Sequence, residues 1–380
     1  MVQGQQRLLS LDFFRGVTVA AMILVNNPGD WGHIYTPLEH AAWNGCTPTD
    51  LVFPSFLFIV GVSIAYAMSS KKTDPTTHIK TIIKALKRAL ILFGLGLFLS
   101  LYPKVFTAPL DALKTVRIPG VLQRIALVFF ISSVIFLKNS PKNIFKIGLA
   151  LLVSYWILMN FVPVPDFGPA NLEKETNLGA WLDRTLLGEA HLWKLAKTWD
   201  PEGILGTIPA ISTGLFGVLV GIYLKRKDVE PATKIAWLFS VGTASVFVGL
   251  TWGLQFPINK SLWTSSYVLY TGGIATMILS LCYWVIDVHK QVYFTKPFIA
   301  YGVNAITVFF LSGLIPRTLN LFTVKNPDGT SITLQPWLFN TYFAPNFSPL
   351  NASLAWAILF VSFWFIVLWF MYKKNIIIKV

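Results

Sequence analysis

Proton transfer near neutral pH falls first to histidine, whose ordinary pKa lies between pH 5 and 8. The chain carries five: His33, His40, His78, His191 and His289. His40 has the richest surroundings. Asn26, Asn27, His33, Glu39, Trp43 and Asn44 share with it one polar stretch between two long apolar runs. An imidazole among amides suits a base set beside donors for a carbonyl oxygen that gains charge. Asn26 is such a donor and, with equal weight, a helix C-cap. Asp50 either orients His40 or caps the next helix, and its place just before an apolar run favours the cap. A second chemistry is anion binding, because arginine presents a planar fork of donors to phosphate. Arg15, Lys87 and Arg88 are the candidates. Arg15 also stands three residues after Asp12, the spacing of a helical ion pair. Arg124 falls inside an apolar run, where it lines a tunnel, faces a ligand or snorkels outward. Asp200 and Glu202 close a segment that also holds Trp181, Trp193 and Trp199. Acids among aromatics suit a cationic sugar, although composition alone favours an ordinary solvated loop. A Walker loop, a G-x-S-x-G elbow, a zincin helix and paired Cys/His spacing are all missing, so no metal is expected.

The elements that hold these residues are membrane-length helices. The chain has 380 residues, 54% hydrophobic and 13% charged, with mean hydropathy +0.60. A soluble domain carries about 25% charged residues. Ten spans of about 20 residues are predicted, near 11–27, 51–69, 83–102, 119–137, 144–162, 204–224, 235–254, 264–286, 297–315 and 353–371. Ser10 suits the N-cap of the first, Pro28 and Gly29 end it, and Asp50 suits the N-cap of the second. The reading is a single all-α domain over 1–380, a polytopic bundle of ten transmembrane helices. Charge then sets orientation. Arg7 and the basic residues of 71–88, 138–146, 225–234, 290–296 and 373–379 number nineteen, against ten in the alternate loops. The positive-inside rule puts both termini in the cytoplasm and His40 outside, with loops 28–50 and 163–203 forming the outer side. The same rule accounts for the net charge of +14 without a nucleic acid partner; the partner is the lipid bilayer. With no cleavage pattern at the start, the first helix is expected to be an uncleaved anchor. Cys46 and Cys282 fall on opposite sides and cannot pair.

Several strings carry a resemblance. SLD-x-x-RG stands at Ser10–Gly16, VN at Val25–Asn26 and H-A-x-WNG-x-T-x-x-DLVFP at His40–Pro54. VRIPGVLQR follows at Val116–Arg124, PVP at Pro163–Pro165, DR-x-LLG-x-x-HL at Asp183–Leu192 and DPEGILGTI at Asp200–Ile208. N-K-x-LW-x-x-SYV lies at Asn259–Val268 and G-x-N-x-I at Gly302–Ile306. The chain thereby resembles the heparan-α-glucosaminide N-acetyltransferase family of membrane enzymes over nearly its whole length. The resemblance implies acetyl transfer from cytosolic acetyl-CoA to the amine of a glucosamine-type sugar or glycan on the far side. It makes His40 the catalytic histidine and Asn26 its companion. Arg15, Arg88 and Arg124 become candidates for acetyl-CoA, and Trp43, Asn44, Asp200 and Glu202 for the acceptor. Direct attack with His40 as base and an acetyl-histidine intermediate both fit. Lysosomal members carry a lumenal domain and a further span ahead of SLD-x-x-RG; without these, the expectation is a bacterial-type homologue in the cytoplasmic (inner) membrane, with a homodimer as one assembly. The rival class is a transporter of a sugar or organic acid, which a polytopic chain with buried arginines also fits, although no inverted repeat is visible.

Overall fold

A computed structural model describes residues 8–325 and 329–378; Arg7 and Lys379 of the basic tally lie outside the described residues. Helix α1 runs Leu9–Asn26, α2 Val52–Lys72, α3 His78–Leu101, α4 Val121–Lys138 and α5 Pro141–Phe161. A short helix, α6, covers Leu178–Leu187, and α7 covers Thr207–Leu224, α8 Pro231–Gly253 and α9 Ser265–Cys282. The chain closes with α10 (Lys296–Val303), α11 (Ala305–Leu319) and α12 (Pro349–Lys373). One departure from an all-helical chain is a two-stranded antiparallel ribbon, Thr323–Lys325 with Ser331–Thr333.

Nine of the ten predicted spans each overlap one helix, whereas 297–315 falls across two. Among the described residues, eight helices are long and apolar enough to cross a membrane. α10 and α11, bent by 78° across Asn304, meet the same test only when taken together, and add a ninth if they form one span. The remaining stretch, α3, is 24 residues long and carries Lys80, Lys84, Lys87 and Arg88 in its first half, so it is less apolar than the others. α2, α4 and α7 form the inner layer, whereas α5, α8 and α12 turn most of their surface outward. Side chains such as Phe247 and Ile366 are exposed there, as lipid-facing positions would be. Small residues bring the inner helices close. A Cβ on Gly61 of α2 would meet the Gly214 carbonyl oxygen of α7 at 1.9 Å, and one on Gly16 of α1 would meet the Phe298 carbonyl oxygen at 1.7 Å. Such backbone-to-backbone contact is how helices associate where lipid is the solvent.

The helix starts correct two expectations. Ser10 does not cap α1. It lies buried inside the helix, and the Asp287 carboxylate accepts from the N–H groups of Leu9 (3.2 Å) and Ser10 (3.0 Å) instead. A partner 277 residues away satisfies the donors that a local cap would have taken. Asp50 is not an N-cap either. Thr47 is the cap of a 3-10 turn, Pro48–Leu51, that leads into α2, and Asp50 is the third residue of its capping box. Pro28 and Gly29 do end α1, which stops at Asn26.

Candidate active site

The His40 loop is docked onto a second loop, 254–264, that precedes α9. Gly45 N–H donates to the Ile258 carbonyl at 2.7 Å, and Asn259 Nδ2 donates to Asn44 Oδ1 at 3.2 Å. Gly45 has φ +113°, a conformation that only glycine takes without strain. Asn259 is fully buried, with its Oδ1 accepting from Leu262 N–H (2.8 Å) and its own N–H donating to Thr264 Oγ1 (3.1 Å). A side chain held this way turns a flexible connection into a rigid platform.

On that platform His40 stands between a carboxylate and an ammonium. Asp50 Oδ1 is 2.6 Å from His40 Nδ1, and Asp50 Oδ2 accepts from the N–H groups of Ala41 and Thr47, each at 3.0 Å. Asp50 is 1% exposed while the His40 side chain is 46% exposed. A buried, fully partnered acid under an open imidazole fixes the ring with its proton on Nδ1 and leaves Nε2 to accept. Of the two readings weighed for it, Asp50 meets the first, contact with His40, while the cap itself is Thr47 and Asp50 only supports it as N3 of the capping box. Tyr267 of α9 donates to the Asp50 carbonyl at 2.5 Å and anchors the turn from below. On the other side, Lys260 Nζ lies 3.1 Å from His40 Nε2 and 3.3 Å from Nδ1. Burial lowers the lysine below its ordinary range, against the favourable charges of Glu202 and Asp50. The neighbouring Cys46 thiol is pushed up to about 12 by burial and by Asp50. It stays protonated at neutral pH and is no nucleophile.

Indoles of the 28–50 and 163–203 loops gather next to the His40 loop. Trp43 Nε1 donates to the Leu172 carbonyl at 3.0 Å, and its ring meets Trp199 edge-on at 5.1 Å, with Trp193 next in the row. Asn44 is exposed beside it. Asp200 and Glu202 are placed otherwise than an open acceptor pocket would need. Both are buried, and Arg117 binds them together, with Nε and Nη2 to Asp200 at 2.8 and 2.7 Å and Nη2 to Glu202 at 2.6 Å. Arg124, fully buried, donates to the carbonyls of Pro201 (2.9 Å) and Gly203 (2.9 Å) and lies over Trp263. It clamps the 200–203 turn from the head of α4. Asp183 accepts from Ile204 N–H at 2.9 Å, and burial raises its carboxyl to about 7.

Arg15 and Arg88 are brought together elsewhere, on a cavity of about 330 Å³. Arg15 lies six residues into α1, with Nη1 to Asp12 at 3.0 Å and Nη2 to Ser63 at 2.7 Å. Arg88 lies over the Phe129 ring. Apolar side chains of α2 and α4 line the space as far as Phe56 and Ile125. Phe56 follows Asp50 by six residues, so the cavity ends roughly 9 Å of helix rise below it. Phe53, Trp263 and Tyr267, in successive edge-on contacts at 5.1 and 5.3 Å, fill the interval.

The remaining candidates are dispersed. Lys87 is exposed and does not line the cavity. Asn26 is exposed at the end of α1, and among the described contacts none joins it to His40. His33 pairs with Asp30 at 2.7 Å on the surface, and His191 hydrogen-bonds the Val116 carbonyl at 2.8 Å. Lys260 and Arg117 join the groups around His40 and Asp200, although the sequence shows them only as basic residues of the alternate loops. Both stand inside strings already singled out, Asn259–Val268 and Val116–Arg124, and that was the available signal.

Residues 7–183 match the family model described as heparan-alpha-glucosaminide N-acetyltransferase, catalytic. The heparan-alpha-glucosaminide N-acetyltransferases of Mus musculus and Homo sapiens are each 32% identical to the chain over 351 aligned residues. The alignments cover 80% of this chain and 53% and 52% of those relatives, so the chain spans about half the length of the curated relatives it matches.

Proposed function

The chain belongs to the heparan-alpha-glucosaminide N-acetyltransferase family, and from that premise we propose that it is a membrane acetyltransferase using acetyl-CoA. The observation that carries the reading is the His40–Asp50 pair, open at one end of the bundle, above a cavity with Arg15 and Arg88 at its other end. The phosphates of the donor sit at the arginines, and the pantetheine arm runs along the apolar cavity towards the Phe53–Trp263 contact. The acceptor is an amino-sugar or related glycan, met by the indoles of Trp43, Trp193 and Trp199. His40 Nε2 takes the proton of the sugar ammonium. The free amine attacks the thioester carbonyl, the C–N bond forms as the C–S bond breaks, the leaving thiolate takes the proton that the attacking nitrogen loses, and the proton on His40 passes to solvent. Acetylation of His40 itself, followed by transfer to the amine, uses the same atoms in two steps.

His40→Ala should abolish acceptor-dependent CoA release by the purified protein, a loss of about a hundredfold to ten-thousandfold, while the protein stays folded and still binds acetyl-CoA. Near-full activity would remove His40 from the mechanism. The bend of α10 and α11 at Asn304 favours a second reading, since transporters use broken helices; a transporter would release no CoA from acetyl-CoA in the same assay.

The reading includes ten spans with both termini cytoplasmic, so that acetyl crosses the membrane. A cysteine at Asn44 in a Cys46→Ala background should react with an impermeant thiol reagent added outside, and one at Lys227 should not. The reverse pattern would leave donor and acceptor on the wrong sides.

A further inference from the structure

Lys260 has no part in the mechanism above, yet it touches the residue that carries it. Building on the reading of His40 as a base, we propose that Lys260 is a positioning residue whose charge keeps the imidazole neutral and ready to accept a proton. The geometry supports a charge effect rather than a blocking hydrogen bond. An ammonium lying along the Nε2 lone pair would be far from Nδ1. Distances of 3.1 and 3.3 Å to the two nitrogens put it beside the ring, equally near both. The lone pair is then left to the acceptor amine.

The need for such a charge follows from Asp50. A buried carboxylate 2.6 Å from Nδ1 orients the ring, but it also sets a negative charge against it, and an opposite charge at that range favours the charged form of any base. An imidazolium cannot take the proton of an ammonium sugar. A cation at the ring opposes the carboxylate and restores the balance without loosening the hydrogen bond that orients His40. The lysine is itself supported. Glu202 from the loop before α7 and Asp50 from the head of α2 favour its charge, whereas burial and Arg124 of α4 oppose it, and Cys46 lies beside it as a thiol. Its neighbour Asn259 is tied to Asn44 and Leu262, and its own carbonyl accepts from Trp263 N–H at 3.1 Å, so the ammonium is delivered by the docked platform rather than by a free loop.

Two profiles against pH test this: the rate of acceptor-dependent CoA release, and the rate at which diethyl pyrocarbonate modifies His40, read on its peptide by mass spectrometry. The reagent attacks only the neutral imidazole and needs no catalysis. In Lys260→Met the acid limb of both should move up by roughly one pH unit, a tenfold loss on that limb that fades at alkaline pH. Lys260→Arg should return both limbs towards the wild type. Lys260→Gln serves as a second neutral variant if the methionine protein does not fold. Loss of activity equal at every pH, with an unmoved modification profile, would make Lys260 a structural residue and overturn the proposal. So would two unmoved profiles. A moved modification profile with an unmoved rate profile would uphold the lysine's effect on His40 and overturn the reading of His40 as the base.

Discussion

Two polar regions lie towards opposite ends of α1 and are built by opposite means. One, the outer region of the proposed topology, is assembled from loops far apart in sequence, and nearly every polar group in it has a partner. His40 meets Lys260 across 220 residues, and Arg117 meets Asp200 across 83. The inner one is a space between helices, lined by apolar side chains, with Arg15 and Arg88 on its wall. The outer region achieves geometry by satisfying buried charge. The inner region achieves room by leaving neighbouring helices apart. On the proposed function, the first kind of construction is the one that holds a base in place. A site that must admit and release a large ligand needs the second.

The contrast can be broken most forcefully at Arg117. Removing one partner from a buried ion pair leaves the other charge uncompensated and costs about 3–5 kcal/mol. Arg117→Ala takes the ion-pair partner from both Asp200 and Glu202 under the turn that Arg124 clamps, leaving Glu202 only the more distant charges of Arg124 and Lys260. The expected result is a large drop in thermal stability in detergent, together with loss of transfer because the loops around His40 separate. Restoring much of the stability with Asp200→Asn and Glu202→Gln in the same chain would assign the effect to stranded charge. A single variant that melts with the wild type would mean that the outer region is not locked by this triad.

What was legible in the sequence divides along the same line. Polar stretches between apolar runs mark the His40 loop, and nine of the ten predicted spans each overlap one helix, because hydrophobic length is a local property. Arg15 and Arg88 could be grouped because both stand early in their helices on the basic side. Long-range pairing was not legible. Asp50 reads locally as a cap, yet it also holds the imidazole, because the loop folds back over the head of α2. Lys260 reads as one basic residue in a loop until the Gly45–Ile258 contact brings it to His40. Asp200 and Glu202 read as acids facing solvent, and the guanidinium that buries them lies before another helix. The 78° break at Asn304 fell inside an apolar run with no proline at that point, so periodicity carried no sign of it.

The finer test of the contrast lies in the cavity, where binding should change and stability should not. Arg88 is exposed, and its contact is a ring face, so its removal strands no buried charge. Arg88→Ala should weaken CoA more than dephospho-CoA or a pantetheine thioester, by about 1.5–3 kcal/mol if a charge-assisted phosphate contact is lost, with an unchanged melting temperature. Arg15→Ala should lose less in binding, because Asp12 and Ser63 already engage two of its nitrogens and a phosphate must compete with them. It should also cost some stability through the loss of those contacts. Calorimetric titration of the three ligands into each variant reads both effects. Equal losses for all three would take phosphate away from the arginines and leave Arg15 as the helical partner of Asp12. A fall in melting temperature for Arg88→Ala as large as that for Arg117→Ala would show that the inner region is held together by its charges after all, and the distinction between the two ends of the molecule would fail.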